Sequence, residues 1–393
     1  MEIGETYTVK PDESALIKLF QMLLEEKIVD SVLGFDIKKK RYDVSPKSID
    51  NPKELTLLPL SQYLAYNYVR VNSSSKFVHT KMIRTEENGK PVYHRDKKIG
   101  LIARPCDTRA FIELSKFNQL KLENLFIICT NCIGSISAAV VQKEIEKLKI
   151  DPEKVEAEEL GLDSLKILVN GKVQEIKLSK DINRWDNCNR CIMREGSICD
   201  LHLDFFLDGI KKVTTITIAS EKGKEILEKA VSAKKIQLDK TSAAAVKKRK
   251  GLMEKIVAKA TKYREKAISE FQNLSDAEKF EKIAKEFIEP CRVCGQCINA
   301  CPVCYCPTCD VQRRRKEKEV GFDARLLLLT KMAHMGDICI GCGKCTVVCP
   351  AKIQSAFFYD VLIDYVKKAF GYEPGRSMED IYPRTMKAIK KSE

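Results

Sequence analysis

Histidine and tryptophan are scarce in this chain: 393 residues contain four histidines and one tryptophan. His79, His94, His202 and His334 stand at no ligand-like spacing, so each reads as a surface or packing residue, although His202 follows Cys199-Asp200. No GxGxxG loop follows an expected strand, which argues against a dinucleotide-binding Rossmann unit. No apolar run is long enough to span a bilayer. Nor does an N-terminal run join basic residues to a long apolar core, so a cytoplasmic chain with no membrane span is expected. An aromatic-interleaved basic stripe is also missing. The formal charge is +14, from 69 basic and 55 acidic residues, but lysine is interleaved with glutamate. A solvated, ion-pair-rich surface accounts for that pattern, and no nucleic-acid partner is expected.

Cysteine is what the chain has in excess, with 17. Cys291, Cys294, Cys297 and Cys301-Pro302 form one run of the type C-x2-C-x2-C-x3-C-P, and Cys339, Cys342, Cys345 and Cys349-Pro350 form another. Two residues between cysteines let one short loop bring several thiolates onto one iron–sulfur cube. The fourth cysteine faces away from its own cube and ligates the other. The expected sets are therefore Cys291, Cys294, Cys297 and Cys349 for one 4Fe-4S cluster, and Cys339, Cys342, Cys345 and Cys301 for a second. Cys129-x2-Cys132 and Cys188-x2-Cys191 are two further half-sites that make a four-thiolate site if the fold joins them, for a third 4Fe-4S cluster or for zinc. Cys304, Cys306 and Cys309 read either as packing around the clusters or as an extra ligand set. Cys106, in the loop Arg104-Pro105-Cys106-Asp107, reads as a cofactor-pocket or near-cluster residue, since no histidine lies near it to activate a nucleophile.

Periodicity places these cysteines on an α/β framework. Residues 12–28 carry Leu16, Leu19, Phe20, Leu23 and Leu24 on one helical face, and 29–35 read as a strand. Residues 57–71 read as a tyrosine-rich helix. Two strand–loop–helix units follow. The first is 99–103, the Arg104–Asp107 loop and helix 108–114; the second is 125–128, the Cys129–Cys132 loop and a helix from Gly134 to Leu148. Loops after parallel strands carry sites in open α/β sheets, which would put Cys106 and the Cys129/Cys132 pair on one edge. Residues 165–178 read as a hairpin turning at Asn170-Gly171. The expected organisation is an α/β domain over 1–220 with a four-cysteine cluster, a helical linker over 221–289, a dicluster 4Fe-4S ferredoxin domain over 290–355 and a helical extension over 356–393. A large α/β domain ahead of one-electron carriers suggests an organic two-electron cofactor such as a flavin.

The blocks LIARPCDTRAFIELSKFNQLKLENLFIICTNCIGSISA (101–138), NCNRCIMREGSICDL (187–201), CRVCGQCINACPVCYCPTC (291–309) and CIGCGKCTVVCP (339–350) resemble, in that order, the beta-subunit family of deazaflavin-reducing hydrogenases and dehydrogenases. The likeness is to its coenzyme F-420-dependent formate dehydrogenase form, to which the Cys304, Cys306 and Cys309 set also belongs. The N-terminus departs from it: YTVKPDESALIKLF stands where the family has a glycine-rich segment. The resemblance implies a flavin-binding-like sheet domain joined by a helical linker to a bacterial-type two-cluster ferredoxin domain. It implies an oxidoreductase subunit that takes electrons from a pterin-containing formate dehydrogenase alpha subunit, holding molybdenum or tungsten. The electrons pass through three 4Fe-4S clusters to FAD and on to the deazaflavin coenzyme, with the Arg104–Asp107 loop near the flavin. Heterodisulfide reductase or hydrogenase subunits are the partners of the alternative, a flavin-free cluster adaptor.

Overall fold

A computed structural model describes residues 1–10, 13–37, 44–58 and 73–383. Most of the expected tyrosine-rich helix, from 59 on, and the basic tail from 384 lie outside the described residues. The first strands are β1 (Thr6–Lys10), β2 (Ser31–Ile37), β3 (Val44–Ile49), β4 (Arg84–Glu87) and β5 (Lys90–Tyr93). β6 (Ile99–Ala103), β7 (Leu125–Thr130), β8 (Val155–Leu160), β9 (Ser164–Val169) and β10 (Lys172–Lys177) follow. The last three are β11 (Leu201–Asp208), β12 (Lys211–Ile218) and β13 (Gln237–Lys240). Eight of them build the main sheet, in the order β13-β1-β12-β11-β7-β6-β2-β3. β2, β6, β7 and β11 run parallel to one another, and antiparallel strands flank them on both sides. β4 pairs with β5. β8, β9 and β10 form a separate three-stranded sheet that contains the expected hairpin.

β6 and β7 are buried along their whole length, as befits parallel strands covered on both faces. The Glu13–Glu25 helix lays Leu16, Leu19, Phe20, Leu23 and Leu24 into the core on one face, the apolar stripe that its 3.6-residue period requires. Phe20 meets Phe126 edge to face at 6.0 Å. Burying a ring of this size is worth about 1.5–3 kcal/mol.

The structure differs from the sequence reading in three places. β1 precedes the first helix. The 221–289 stretch, expected to be a helical linker, returns to the sheet as β13, which pairs with β1 before the 30-residue helix Ala243–Gln272 begins. The helix expected from Gly134 starts only at Ala138. Before it, backbone groups are taken up elsewhere: Arg184 Nε donates to the Ile133 carbonyl at 2.7 Å, and Trp185 N donates to that of Ser135 at 2.8 Å.

The cysteine-rich region is mostly short helices and loops, followed by the Ser355–Phe370 helix, which a left-handed Gly371 ends. It packs on the sheet region through buried polar contacts. Arg190 Nε donates to Asp360 at 2.8 Å, and Arg264 reaches the other Asp360 oxygen at 3.1 Å. Arg109, on the Pro105–Lys116 helix, donates to the carbonyls of Ile340 and Pro374. Glu113 on the same helix accepts from Gly375 N at 2.7 Å and from the Tyr372 hydroxyl at 3.1 Å.

Candidate redox centre: a thiol-lined cavity

Parallel pairing sets Ala103 beside Cys129, so the loops after β6 and β7 leave the same edge of the sheet. Pro105 opens the following helix, where its missing N–H costs nothing. Asp107 is fully buried and accepts from Ser75 N at 3.2 Å, Ser75 Oγ at 3.0 Å and Arg104 Nε at 3.1 Å. Burial alone would raise its pKa, but Arg104 and the Ser75 donors outweigh it and hold the carboxyl below the usual range. Asp107 therefore anchors the loop, and Cys106 faces inward.

Across from this edge stand the short Asp186–Asn189 helix with the residues after it, and the 340–344 loop. Together they enclose a cavity whose lining includes Cys106, Cys132, Cys188, Cys191 and Cys342. Both expected half-sites thus reach one place, each contributing at least one thiol, and Cys106 joins them. Cys129 does not line the cavity. It is buried at the end of β7, its sulfur turned toward the Thr130 carbonyl and packed so tightly on Gly196 that a Cβ there would lie 2.4 Å away.

The cavity is lined by thiols and cationic side chains. Burial pushes the Cys106 thiol up to about 12 in spite of Arg104 beside it. Burial and the neighbouring Cys132 raise Cys188, with Arg194 opposing. Thiols in that state ligate only as thiolates, so binding a metal releases their protons. Arg104, Arg109, Arg194 and Lys344 share the lining, so the donor set fits an anionic thiolate complex. Among the described residues no three Cys, His, Asp or Glu side chains converge on a single-ion position. A four-iron cube binds its thiolates at separate corners, wider apart than the ~2.3 Å shell of a single zinc ion.

The two ferredoxin-type runs fold alike. Gly295 and Gly343 each follow the second cysteine of their run, share φ +73° and ψ 2°, and each caps a four-residue helix. Cys291 has Cys297, Cys294 and Cys349 as its electrostatic neighbours, and Cys339 has Cys345, Cys342 and Cys301. Buried Lys331 donates to the Cys297 carbonyl at 2.9 Å, with Cys345 and Cys301 also close. The second run touches the cavity directly. Asn187 Nδ2 donates to the Cys342 carbonyl at 2.8 Å, and its amide lies against Gly343.

The leftover cysteines sit elsewhere. Cys199 lies 3.2 Å from His202 Nε2, and Cys304 is held near Cys301, with Lys76 Nζ on the Cys304 carbonyl at 2.6 Å. Asn187, Arg109 and Lys344 escaped the sequence reading. Only the position of Lys344 inside a cysteine run could have marked it.

Buried thiols thus gather where a mixed α/β sheet meets a helical, cysteine-rich region. Residues 96–244 match the family model that describes the C-terminal part of the coenzyme F420 hydrogenase/dehydrogenase beta subunit. The chain is 29% identical over 370 residues to the F420-dependent formate dehydrogenase subunit beta of Methanocaldococcus jannaschii, covering 92% of this chain and 91% of that one. It is 28% identical over 394 residues to the F420-dependent formate dehydrogenase 1 subunit beta of Methanococcus maripaludis, with 95% of each chain covered. A chain in a solved structure of the F420-reducing NiFe hydrogenase complex from Methanosarcina barkeri aligns at TM-score 0.49 and 14% identity, over 70% of this chain and 94% of that one. Residues 96–244 and both of these relatives thus make the chain similar to the coenzyme F420 hydrogenase/dehydrogenase beta subunits. Among the described residues no helix is long and apolar enough to cross a membrane.

Proposed function

We propose that this chain is the electron-transfer beta subunit of a formate dehydrogenase-like complex in the cytoplasm. It would link a pterin-containing catalytic alpha subunit to FAD and the deazaflavin coenzyme F420 through three 4Fe-4S clusters. The observation that carries the reading is the shared wall: Cys342, from the second ferredoxin-type run, lines the same cavity as Cys106, Cys132, Cys188 and Cys191. Adjacent thiol sets of this kind serve relay, whereas a structural zinc site needs no such neighbour.

When bound, the clusters supply one-electron carriers and a flavin supplies the two-electron step that splits a hydride. The chain's own residues hold and insulate them. Cys291, Cys294, Cys297 and Cys349 would hold the outermost cluster, and Cys339, Cys342, Cys345 and Cys301 the middle one. Cys132, Cys188 and Cys191 would hold the third. Cys106 fits its fourth position better than Cys129, which packs into the sheet. The organisation that goes with this reading is a sheet domain, a dicluster unit over 290–355 and a helical extension from 356.

One observation favours a second reading, a flavin-free adaptor to hydrogenase or heterodisulfide reductase subunits. The Arg104–Asp107 loop, the expected flavin contact, is engaged already: Asp107 is bonded to Ser75 and Arg104, and Cys106 faces the thiol cavity. Anaerobic purification of the native complex decides between them, by subunit identification and by iron, sulfide and flavin content. The leading reading expects about twelve iron atoms per chain, the sum of three four-iron cubes, with bound FAD. The same iron without FAD selects the adaptor. Material without acid-labile sulfide after reconstitution overturns both.

A further inference from the structure

Lys344 is among the most deeply buried charged side chains of the chain, at 1% exposure. It opens the short helix Lys344–Val347, next to Cys345, and its side chain lines the thiol cavity. Its ammonium lies 4.8 Å from the centre of the Trp185 ring and has no hydrogen-bond partner among the described residues. An ammonium with unmet donors in a buried site is costly unless an anion belongs there. The thiols closest to it electrostatically are Cys106 and Cys342, one from each of two adjacent sets. Lys331 offers a contrast: it is also buried, but it is tied to the Cys297 carbonyl, between the two ferredoxin-type sets.

We infer that Lys344 is a positioning residue for charge, the shared counter-cation of the cavity cluster and the Cys342 cluster. Resting on the cluster reading above, the inference assigns the ammonium to an acceptor on the bound thiolate complex. Its positive charge stabilises the reduced, more negative state on either side, so it raises both reduction potentials together. The Trp185 face holds the ammonium in place through cation–π attraction. Only an electron moves at this junction, and no proton or bond change is required of the lysine.

The test is anaerobic potentiometry of the reconstituted full chain, followed by the paramagnetic signals of the reduced clusters. Lys344→Met keeps the stem and removes the charge. The expected result is full iron content, with the cavity cluster and the Cys342 cluster each harder to reduce by about tenfold or more, which is about 59 mV per tenfold for one electron. The Cys291 cluster is expected to move least, and Lys344→Arg is expected to restore most of the shift. Unshifted potentials in Lys344→Met overturn the inference, as does loss of the cavity cluster in both variants, which would make the lysine a packing element. Cluster loss in Lys344→Met with retention in Lys344→Arg supports it, because the charge is then what holds the cluster. Wild-type protein with iron near about eight per chain, the content of two four-iron cubes, removes the cavity cluster itself, and the relay reading with it.

Discussion

Gly343→Ala tests the seam between the cavity and the second cysteine run. Gly343 has φ +73°, and a Cβ added there would lie 1.8 Å from Asn187 Cγ, 2.0 Å from Oδ1 and 2.2 Å from Nδ2. Two costs follow. A left-handed conformation costs a residue with a Cβ about 1–2 kcal/mol. Pushing the Asn187 amide aside also breaks its 2.8 Å bond to the Cys342 carbonyl, and a buried group left unpaired costs about 1–3 kcal/mol more. Gly343→Ala should therefore make local opening easier by about 2–5 kcal/mol, read as lost hydrogen-exchange protection at residues 186–190 of the anaerobic holoprotein. Asn187→Ala removes the obstacle. In that background the added methyl should cost only the conformational ~1–2 kcal/mol, a coupling that a double-mutant cycle isolates. The same cost in both backgrounds would refute the argument, because it would show that the amide does not sit on the glycine.

Cys294→Ser should remove or weaken the cluster furthest from the cavity, and Cys188→Ser should damage the cavity cluster while leaving two intact ferredoxin-type signals in the reduced protein. Cys106→Ser should lower the iron content by up to a third and Cys129→Ser should leave it unchanged, as measured by iron analysis; the reverse result would restore Cys129 as the ligand. Asp360→Asn takes one of two carboxylates from buried Arg190, which keeps Asp186, and also weakens the hold on Arg264; it should destabilise the fold by about 1.5–3 kcal/mol, seen as a lower anaerobic unfolding midpoint. His79 is fully buried, and burial, reinforced by Arg84 and Lys76, pulls its pKa down to about 4. The unfolded chain binds that proton near pH ~6.5 and the folded chain does not, so stability is lost as pH falls from about 6.5 to about 4, roughly 2 kcal/mol of it by about pH 5. His79→Gln should flatten that part of the pH dependence relative to wild type, and parallel profiles would dismiss the assignment.

Local pattern carried some of this fold and not the rest, for physical reasons. The stripe from Leu16 to Leu24 and the runs at Ile99–Ala103 and Leu125–Ile128 are apolar because the sheet buries them, so periodicity finds them. β13 reads QLDK and has no such signal. It is a strand only because β1 offers a free edge, a tertiary cause. The late start of the Ala138–Lys147 helix likewise depends on Arg184, 51 residues downstream, capturing the Ile133 carbonyl. Among the thiols, spacing identified sets that one loop brings together, such as Cys291, Cys294 and Cys297. The expected strand–loop–helix units put Cys106 on one edge with the Cys129/Cys132 pair, but spacing could not show that Cys188 and Cys191 join them there, because a third segment has to converge. Nor could it separate Cys129 from Cys132, since the choice depends on which residue of the β7 exit turns inward.

The clamp on the Pro105–Lys116 helix has a consequence for how the protein is made. Cys106 begins that helix, and the carbonyl of Pro374 and the amide of Gly375 grip it through Arg109 and Glu113. A nascent chain still short of those residues holds that helix only through the bond from Arg109 to the Ile340 carbonyl and lacks the rest of the grip. If the cavity holds the proposed third cluster, its iron and sulfide should arrive late, after translation has passed the clamp.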